Sequence, residues 1–248
     1  MTYCVAALVE QGAVFASDSR TNAGMDHIST FGKMNVFENP GERVIVVLSS
    51  GNLATTQSVM SLLRMRSVTE DGQTAENGIM GIKHMYDVAQ LIGDTLRDVI
   101  NREKTVEQQG VDIDCSFIVG GQIKGRTPRL FRIYPEGNFI EATQDTNYFQ
   151  IGETKYGKPI IDRVVKHGTA LKDVAKCFLV SFDSTMRSNL TVGLPIDLLV
   201  YEKDTCRVTI RRRFREGDKY FSELSGYWSA GLRRVFQEVP EPAWTDTV

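Results

Sequence analysis

Thr2, Asp18 and Lys33 are the residues near the start of this chain whose types and order could carry chemistry. If Met1 is removed, Thr2 holds a hydroxyl and a free α-amine on one residue. That pair makes a nucleophile with its own base. The amine suits the task, because its reference pKa of about 7.7–8.0 lies close to neutrality. A lysine beside it lowers the pKa values of the amine and the hydroxyl by like-charge repulsion and by favouring an alkoxide. An aspartate beside the lysine holds that cation charged and in place. Backbone N–H groups at Ser50-Gly51, where an apolar run passes into a helix start, supply candidate oxyanion donors. Each residue alone also has a plain reading: Thr2 as an ordinary second residue, Asp18 and Lys33 as a surface ion pair.

The elements that must position these groups follow from apolar periodicity. Residues 3–9 and 13–18 read as two strands joined at Gln11-Gly12. The second ends in the polar cluster Ser17-Asp18-Ser19-Arg20, and residues 22–24 read as a loop. A strand over 35–38, the Asn39-Pro40-Gly41-Glu42 turn and a β-branched strand over 43–48 come next. Ser49-Ser50-Gly51-Asn52 then opens a helix over 52–66, followed by a polar loop and a long amphipathic helix over 81–107. Further strands are expected at 115–121, 129–134, 139–141 and 148–152. Helices at 155–166 and 170–186, strands at 196–201 and 207–211, and a C-terminal helix at 217–236 complete the chain. This grouping predicts an α+β fold of antiparallel sheets with helices outside, in four layers if the sheets pack face to face. No repeat or linker divides it, so residues 1–248 are expected to form a single domain.

The bulk numbers exclude some partners. Of 248 residues, 42% are hydrophobic and 24% charged, which is enough for a substantial core. The net charge of −2 and a pI of about 6.0 give no sign of a nucleic-acid or membrane surface. The basic run Arg211-Arg212-Arg213-Phe214-Arg215 reads as a solvated or subunit-contact strand. Cys4, Cys115, Cys177 and Cys206 lack metal spacing and read as buried free thiols. No apolar stretch reaches membrane-spanning length, and the N-terminus lacks signal-peptide character, so a cytoplasmic protein is expected. Cys4 shares strand parity with Thr2 and could line the same pocket, with His27 in a nearby loop. Glu153 reads as pocket-lining or as an acid at a helix N-terminus.

Together, Thr2-x-x-x-Ala6, Ala13-Val14-Phe15-Ala16-Ser17-Asp18-Ser19-Arg20 and Lys33 resemble the opening of proteasome β-type subunits. Ser17 to Gly24, with Asp26-His27-Ile28-Ser29-Thr30-Phe31 after it, is most similar to the bacterial proteasome-homologue branch called Anbu, itself similar to the HslV peptidase. The resemblance covers nearly the whole chain. It implies the αββα sandwich of two antiparallel sheets found in N-terminal-nucleophile hydrolases, and threonine-type peptide or amide hydrolysis without metal, nucleotide or other cofactor. It implies Thr2 as nucleophile and base, Asp18 and Lys33 as its support, and Gly51 as the oxyanion glycine. Arg20 matches the arginine two residues after the aspartate.

Two stretches depart from the family pattern. A Gly-Ser-Gly stretch whose serine supports the threonine is replaced by Gly152-Glu153-Thr154. An Asp-x-x-Ser-Gly stretch is represented by Ser188-Asn189-Leu190-Thr191-Val192-Gly193, with Ser188 and Thr191 as stand-ins. The resemblance further implies a ring or open-ring homo-oligomer acting on peptide or protein substrates, and it specifies no ATPase partner. Two other roles stay open at this point: a non-catalytic structural subunit of such an assembly, and an amidase for a dedicated small substrate.

Overall fold

A computed structural model of the chain describes residues 2–23, 27–107 and 110–242, with side chains left aside at 21–29 and 104–109. In chain order the strands of the first half are β1 (Tyr3–Val9), β2 (Gly12–Asp18), β3 (Arg20–Ala23), β4 (His27–Thr30), β5 (Met34–Asn39) and β6 (Arg43–Gly51). Two helices follow, α1 (Leu53–Met65) and α2 (Met85–Glu107), then strands β7 (Cys115–Ile123), β8 (Arg129–Ile133), β9 (Phe139–Glu141) and β10 (Tyr148–Gly152). Helices α3 (Lys158–Val164) and α4 (Leu171–Ser188), strands β11 (Ile196–Glu202) and β12 (Ile210–Phe214), and helix α5 (Lys219–Glu238) complete the order.

The strands form two five-stranded sheets, ordered β10-β1-β2-β11-β12 and β5-β6-β7-β8-β9, plus the small β3–β4 hairpin. All pairings are antiparallel. Side chains alternate across a strand, and β1 shows the consequence. Tyr3, Val5, Ala7 and Val9 face a core made with α3, α4 and α5, whereas Cys4 and Ala6 face a second core between the sheets. That inter-sheet core also takes Phe15 from β2, Val46 and Leu48 from β6, and Leu199 from β11. A third core packs α1 and α2 on the far face of the second sheet. Three apolar layers between four structural layers make the αββα sandwich anticipated from the grouping of elements. Burying a large apolar side chain contributes about 1.5–3 kcal/mol. With six of its seven residues buried, β1 therefore holds firm at the third residue, where a terminus ordinarily frays.

Several boundaries depart from the sequence reading. Residues 22–24 are expected as a loop, yet Arg20–Ala23 pairs with His27–Thr30 in register Arg20↔Thr30. Gly24 lies outside the described residues, as does Asp26. These strands lack apolar alternation, so local pattern does not mark them. The last strand lies at 210–214 rather than 207–211. The β11–β12 connection passes through left-handed residues Asp204 and Cys206, at φ 67° and 44°, and Val208 packs toward the inter-sheet core instead of pairing. Helix α2 begins at Met85 rather than 81. Helix α3 is shorter than expected, with a proline in its first turn. Among the described residues, no helix is long and apolar enough to cross a membrane.

Candidate active site

The antiparallel register of β1 and β2 pairs Cys4 with Ser17, which brings Tyr3 opposite Asp18, the last residue of β2. The Tyr3 amide donates to Asp18 Oδ1 at 2.9 Å. Lys33, just ahead of β5, donates from Nζ to Asp18 Oδ1 at 2.8 Å, to Oδ2 at 2.9 Å and to the Arg20 carbonyl at 2.7 Å. Three acceptors around Nζ match the three donors of an ammonium. Asp18 is fully buried and Lys33 nearly so. Burial pushes the Asp18 carboxyl above its ordinary value, while the Lys33 charge and hydrogen bonds and the Tyr3 amide pull the other way.

Thr2, Lys33 and Gly51 line one cleft of about 560 Å³. Its floor includes Ser49 and Ser50 from the end of β6, and the Ser49 amide donates to the Lys33 carbonyl at 3.0 Å. Gly51 has φ +113°, and a Cβ there would sit 2.3 Å from the Asp114 carbonyl oxygen, so only glycine fits the sharp exit from β6. Asn52 then caps α1, its Oδ1 accepting from Ala54 N at 2.9 Å and Thr55 N at 3.2 Å. One wall of the cleft is the α1 face bearing Thr56, Gln57, Met60, Ser61 and Arg64, spaced for a single helical side. The expected hand-over from strand to helix at Ser49–Asn52 is therefore present and faces Thr2.

Gly152 closes the other side. Its φ is +79°, and a Cβ would lie 2.0 Å from the Thr2 carbonyl oxygen and 2.8 Å from Ser50 Oγ. The next residue, Glu153, donates its amide to the Thr2 carbonyl at 2.6 Å. Glu153 is buried, accepts from Lys155 N at 2.8 Å and from Asn189 Nδ2 at 2.9 Å, and lies behind Thr2 rather than on the cleft wall or in the first turn of α3. Asn189 Oδ1 in turn accepts from Thr191 N at 3.0 Å and Thr191 Oγ1 at 2.6 Å. Ser188 is exposed at the end of α4, and neither it nor Thr191 lines the cleft. Of the four outer candidates, then, only Arg20 lines it.

Cys4 takes the parity expected of it but not the place. It is fully buried between the sheets, donates Sγ–H to the Ser49 carbonyl at 3.5 Å, and has its thiol pKa raised, chiefly by burial. All four cysteines are free and buried. The His27 side chain lies outside the described residues, as does Met1. Among the described residues, no group of three or more His, Cys, Asp or Glu side chains could hold a metal ion. Residues not anticipated at the site include Asn189, Tyr3, Arg64 and Asn35. Tyr3 anchors the strand below Thr2 through its hydroxyl, 2.9 Å from both Ser181 Oγ and Gln150 Nε2, and through its ring, 4.4 Å from that of Phe182. The i, i+3, i+4, i+7 recurrence of Gln57, Met60, Ser61 and Arg64 was the available signal for the α1 wall.

No protein-family model and no curated protein matches the chain. Solved structures do. Anbu (ancestral beta-subunit) from Yersinia bercovieri is 52% identical, with a TM-score of 0.90, covering 98% of this chain and 100% of that one. Anbu from Hyphomicrobium sp. strain MC1 is 50% identical, with a TM-score of 0.85 and the same coverage. The helical assembly of the Anbu complex from Pseudomonas aeruginosa is 48% identical, with a TM-score of 0.92, covering 99% of this chain and 100% of that one. Identity near one residue in two over essentially full length, on the sandwich described above, makes this chain a member of the Anbu family, within the proteasome-like N-terminal-nucleophile hydrolases.

Proposed function

We propose that this chain, acting as a single domain, is a cytoplasmic threonine-type hydrolase of peptide or amide bonds, with Thr2 as its nucleophile after removal of Met1. The observation that supports this most is the sharing of one cleft by Thr2, Lys33 and Gly51, with Asp18 bonded to both Lys33 and the Tyr3 amide beneath it. Thr2 Oγ1 adds to the substrate carbonyl, and the α-amine accepts its proton. The oxyanion that forms is held by backbone N–H at Gly51. Collapse breaks the C–N bond, and the proton passes from the α-ammonium to the leaving amine. Water, deprotonated by the same amine, then hydrolyses the Thr2 ester and regenerates the hydroxyl. Lys33 favours the neutral amine and stabilises developing negative charge on Oγ1. The resemblance to an Anbu complex forming a helical assembly supports self-association as the working form.

A structural, non-catalytic subunit is the competing role, favoured by Glu153 and Asn189 standing behind Thr2 where the family uses a serine. Intact mass and active-site labelling separate the two. Protein lacking Met1 is expected to gain one equivalent of a peptide epoxyketone on Thr2, and Thr2→Ala protein none. Absence of any adduct between about pH 6 and pH 9, across the reference range of the α-amine, on protein shown to lack Met1, rejects the catalytic reading.

A further inference from the structure

The charge lining the cleft is one-sided. Among the described residues, Arg20, Lys33 and Arg64 open on it and no aspartate or glutamate does. Lys33 is already ion-paired with Asp18. Arg20 and Arg64 form no ion pair among the described residues. The Arg20 stem lies over Gly193, where a Cβ would approach Cδ at 2.9 Å and Nη1 at 3.0 Å, and its Nε is buried without a hydrogen-bond partner. Arg64 reaches across from α1 to donate to Asn35 Oδ1. Asn35 stands two residues beyond Lys33 in an extended segment, about 7 Å along the chain at strand rise. The Arg64 guanidinium therefore stands on the same cleft as Lys33 and Thr2.

A guanidinium with no ion-pair partner among the described residues suits an incoming carboxylate, which it binds with paired, charge-assisted hydrogen bonds. Low charge density elsewhere on the wall lets that field act on a substrate without competition. We infer that the cleft selects peptides bearing an aspartate or glutamate side chain next to the scissile bond, with Arg64 taking the carboxylate and Arg20 adding positive potential from below. This specificity rests on the reading of Thr2 as nucleophile, and Asn35 positions Arg64 by holding its guanidinium on the cleft side.

The test uses the full-length protein freed of Met1 and four matched peptide epoxyketones that differ only in the residue beside the warhead: Glu, Gln, Leu or Lys. The Glu probe is expected to form the Thr2 adduct at least about tenfold faster than the Gln probe, the worth of one good charge-assisted pair, with Lys slowest. That advantage is expected to collapse in Arg64→Gln and to shrink as salt rises from about 0.05 M to about 0.5 M. Equal rates for Glu, Gln and Leu, with Thr2 labelled in each case, overturn the specificity and leave the nucleophile intact. If no probe labels Thr2, the nucleophile reading fails, and binding of the same four peptides as simple amides, followed by NMR titration, decides the specificity separately. Tighter binding of the Glu peptide that is lost in Arg64→Gln supports it, and equal binding of Glu and Gln peptides overturns it.

Discussion

The backbone amide of Tyr3 and the carboxylate of Asp18 meet at 2.9 Å, on the same oxygen that accepts from Lys33 at 2.8 Å. One buried anion thus fixes both the peptide that follows Thr2 and the ammonium that faces the cleft. The geometry of the proposed reaction depends on an ion pair with almost no access to water, and this makes the pair sensitive to loss of either member.

Replacing Lys33 by Met leaves the Asp18 carboxylate buried and unpaired. A loss of about 3–5 kcal/mol is expected near pH 7, the usual consequence of removing one partner of a buried pair. The loss has a sign in pH. Burial already raises the Asp18 pKa in the folded protein, and removing Lys33 removes the main opposing influence. A carboxyl with a folded pKa above its unfolded one contributes stability below the unfolded value and loses it as pH rises through the folded value. Urea unfolding of K33M and parent at pH 7 and pH 5 is therefore expected to give a smaller difference at pH 5. A difference that grows on acidification contradicts the assignment.

Gly152→Ala introduces a methyl group 2.0 Å from the Thr2 carbonyl oxygen at a φ of +79°. The backbone clash and the left-handed conformation both oppose alanine, so destabilisation above about 1 kcal/mol is expected. In a chain of this size that lowers Tm by about 2–4 °C per kcal/mol. Relaxation of the clash must move Thr2 or β10, so labelling of Thr2 is expected to slow as well. A variant with unchanged Tm and unchanged labelling removes Gly152 from the positioning of Thr2.

Tyr3→Phe removes one hydroxyl from the base of β1. Ser181 Oγ donates to the Phe178 carbonyl at 2.7 Å, so the Tyr3 hydroxyl is the donor to Ser181 and the acceptor from Gln150. The variant leaves the buried Gln150 amide without that acceptor, at a cost of about 1–3 kcal/mol. Thermal unfolding measures it. A neutral result shows that Gln150 finds another partner and that the ring stacked on Phe182 suffices to anchor the strand.

Much of the site was legible because its parts lie early in the chain and at strand ends. The apolar runs of Tyr3–Val9 and Gly12–Asp18 on either side of a short glycine-bearing turn define a hairpin whose polar exit is Asp18. The Ser-Ser-Gly-Asn sequence marks a strand handing over to a capped helix, and the chain follows it. Strands β3 and β4 were not legible, since their residues carry no apolar period and pair only because the backbone on either side brings them together. The basic strand near the C-terminus was misplaced by three residues, because the loop before it turns through Asp204 and Cys206 before pairing resumes.

The amino-acid order by itself determined which residues are candidates for the proposed reagent and its support: a threonine at position 2, one aspartate at a strand exit, one lysine ahead of the next sheet, and glycine at 51. These are local facts of residue type and periodicity. Tertiary structure alone decided the outer arrangement. Glu153 and Asn189 are 36 residues apart and meet only when β10 and the end of α4 converge, while Ser188, one residue earlier, is carried out to solvent by the turn of the helix. Arg64 belongs to the site only because α1 lies along the cleft and Asn35 reaches it from the neighbouring sheet. Such placements depend on how layers stack, which side chains separated by tens of residues settle together, and no local period encodes them.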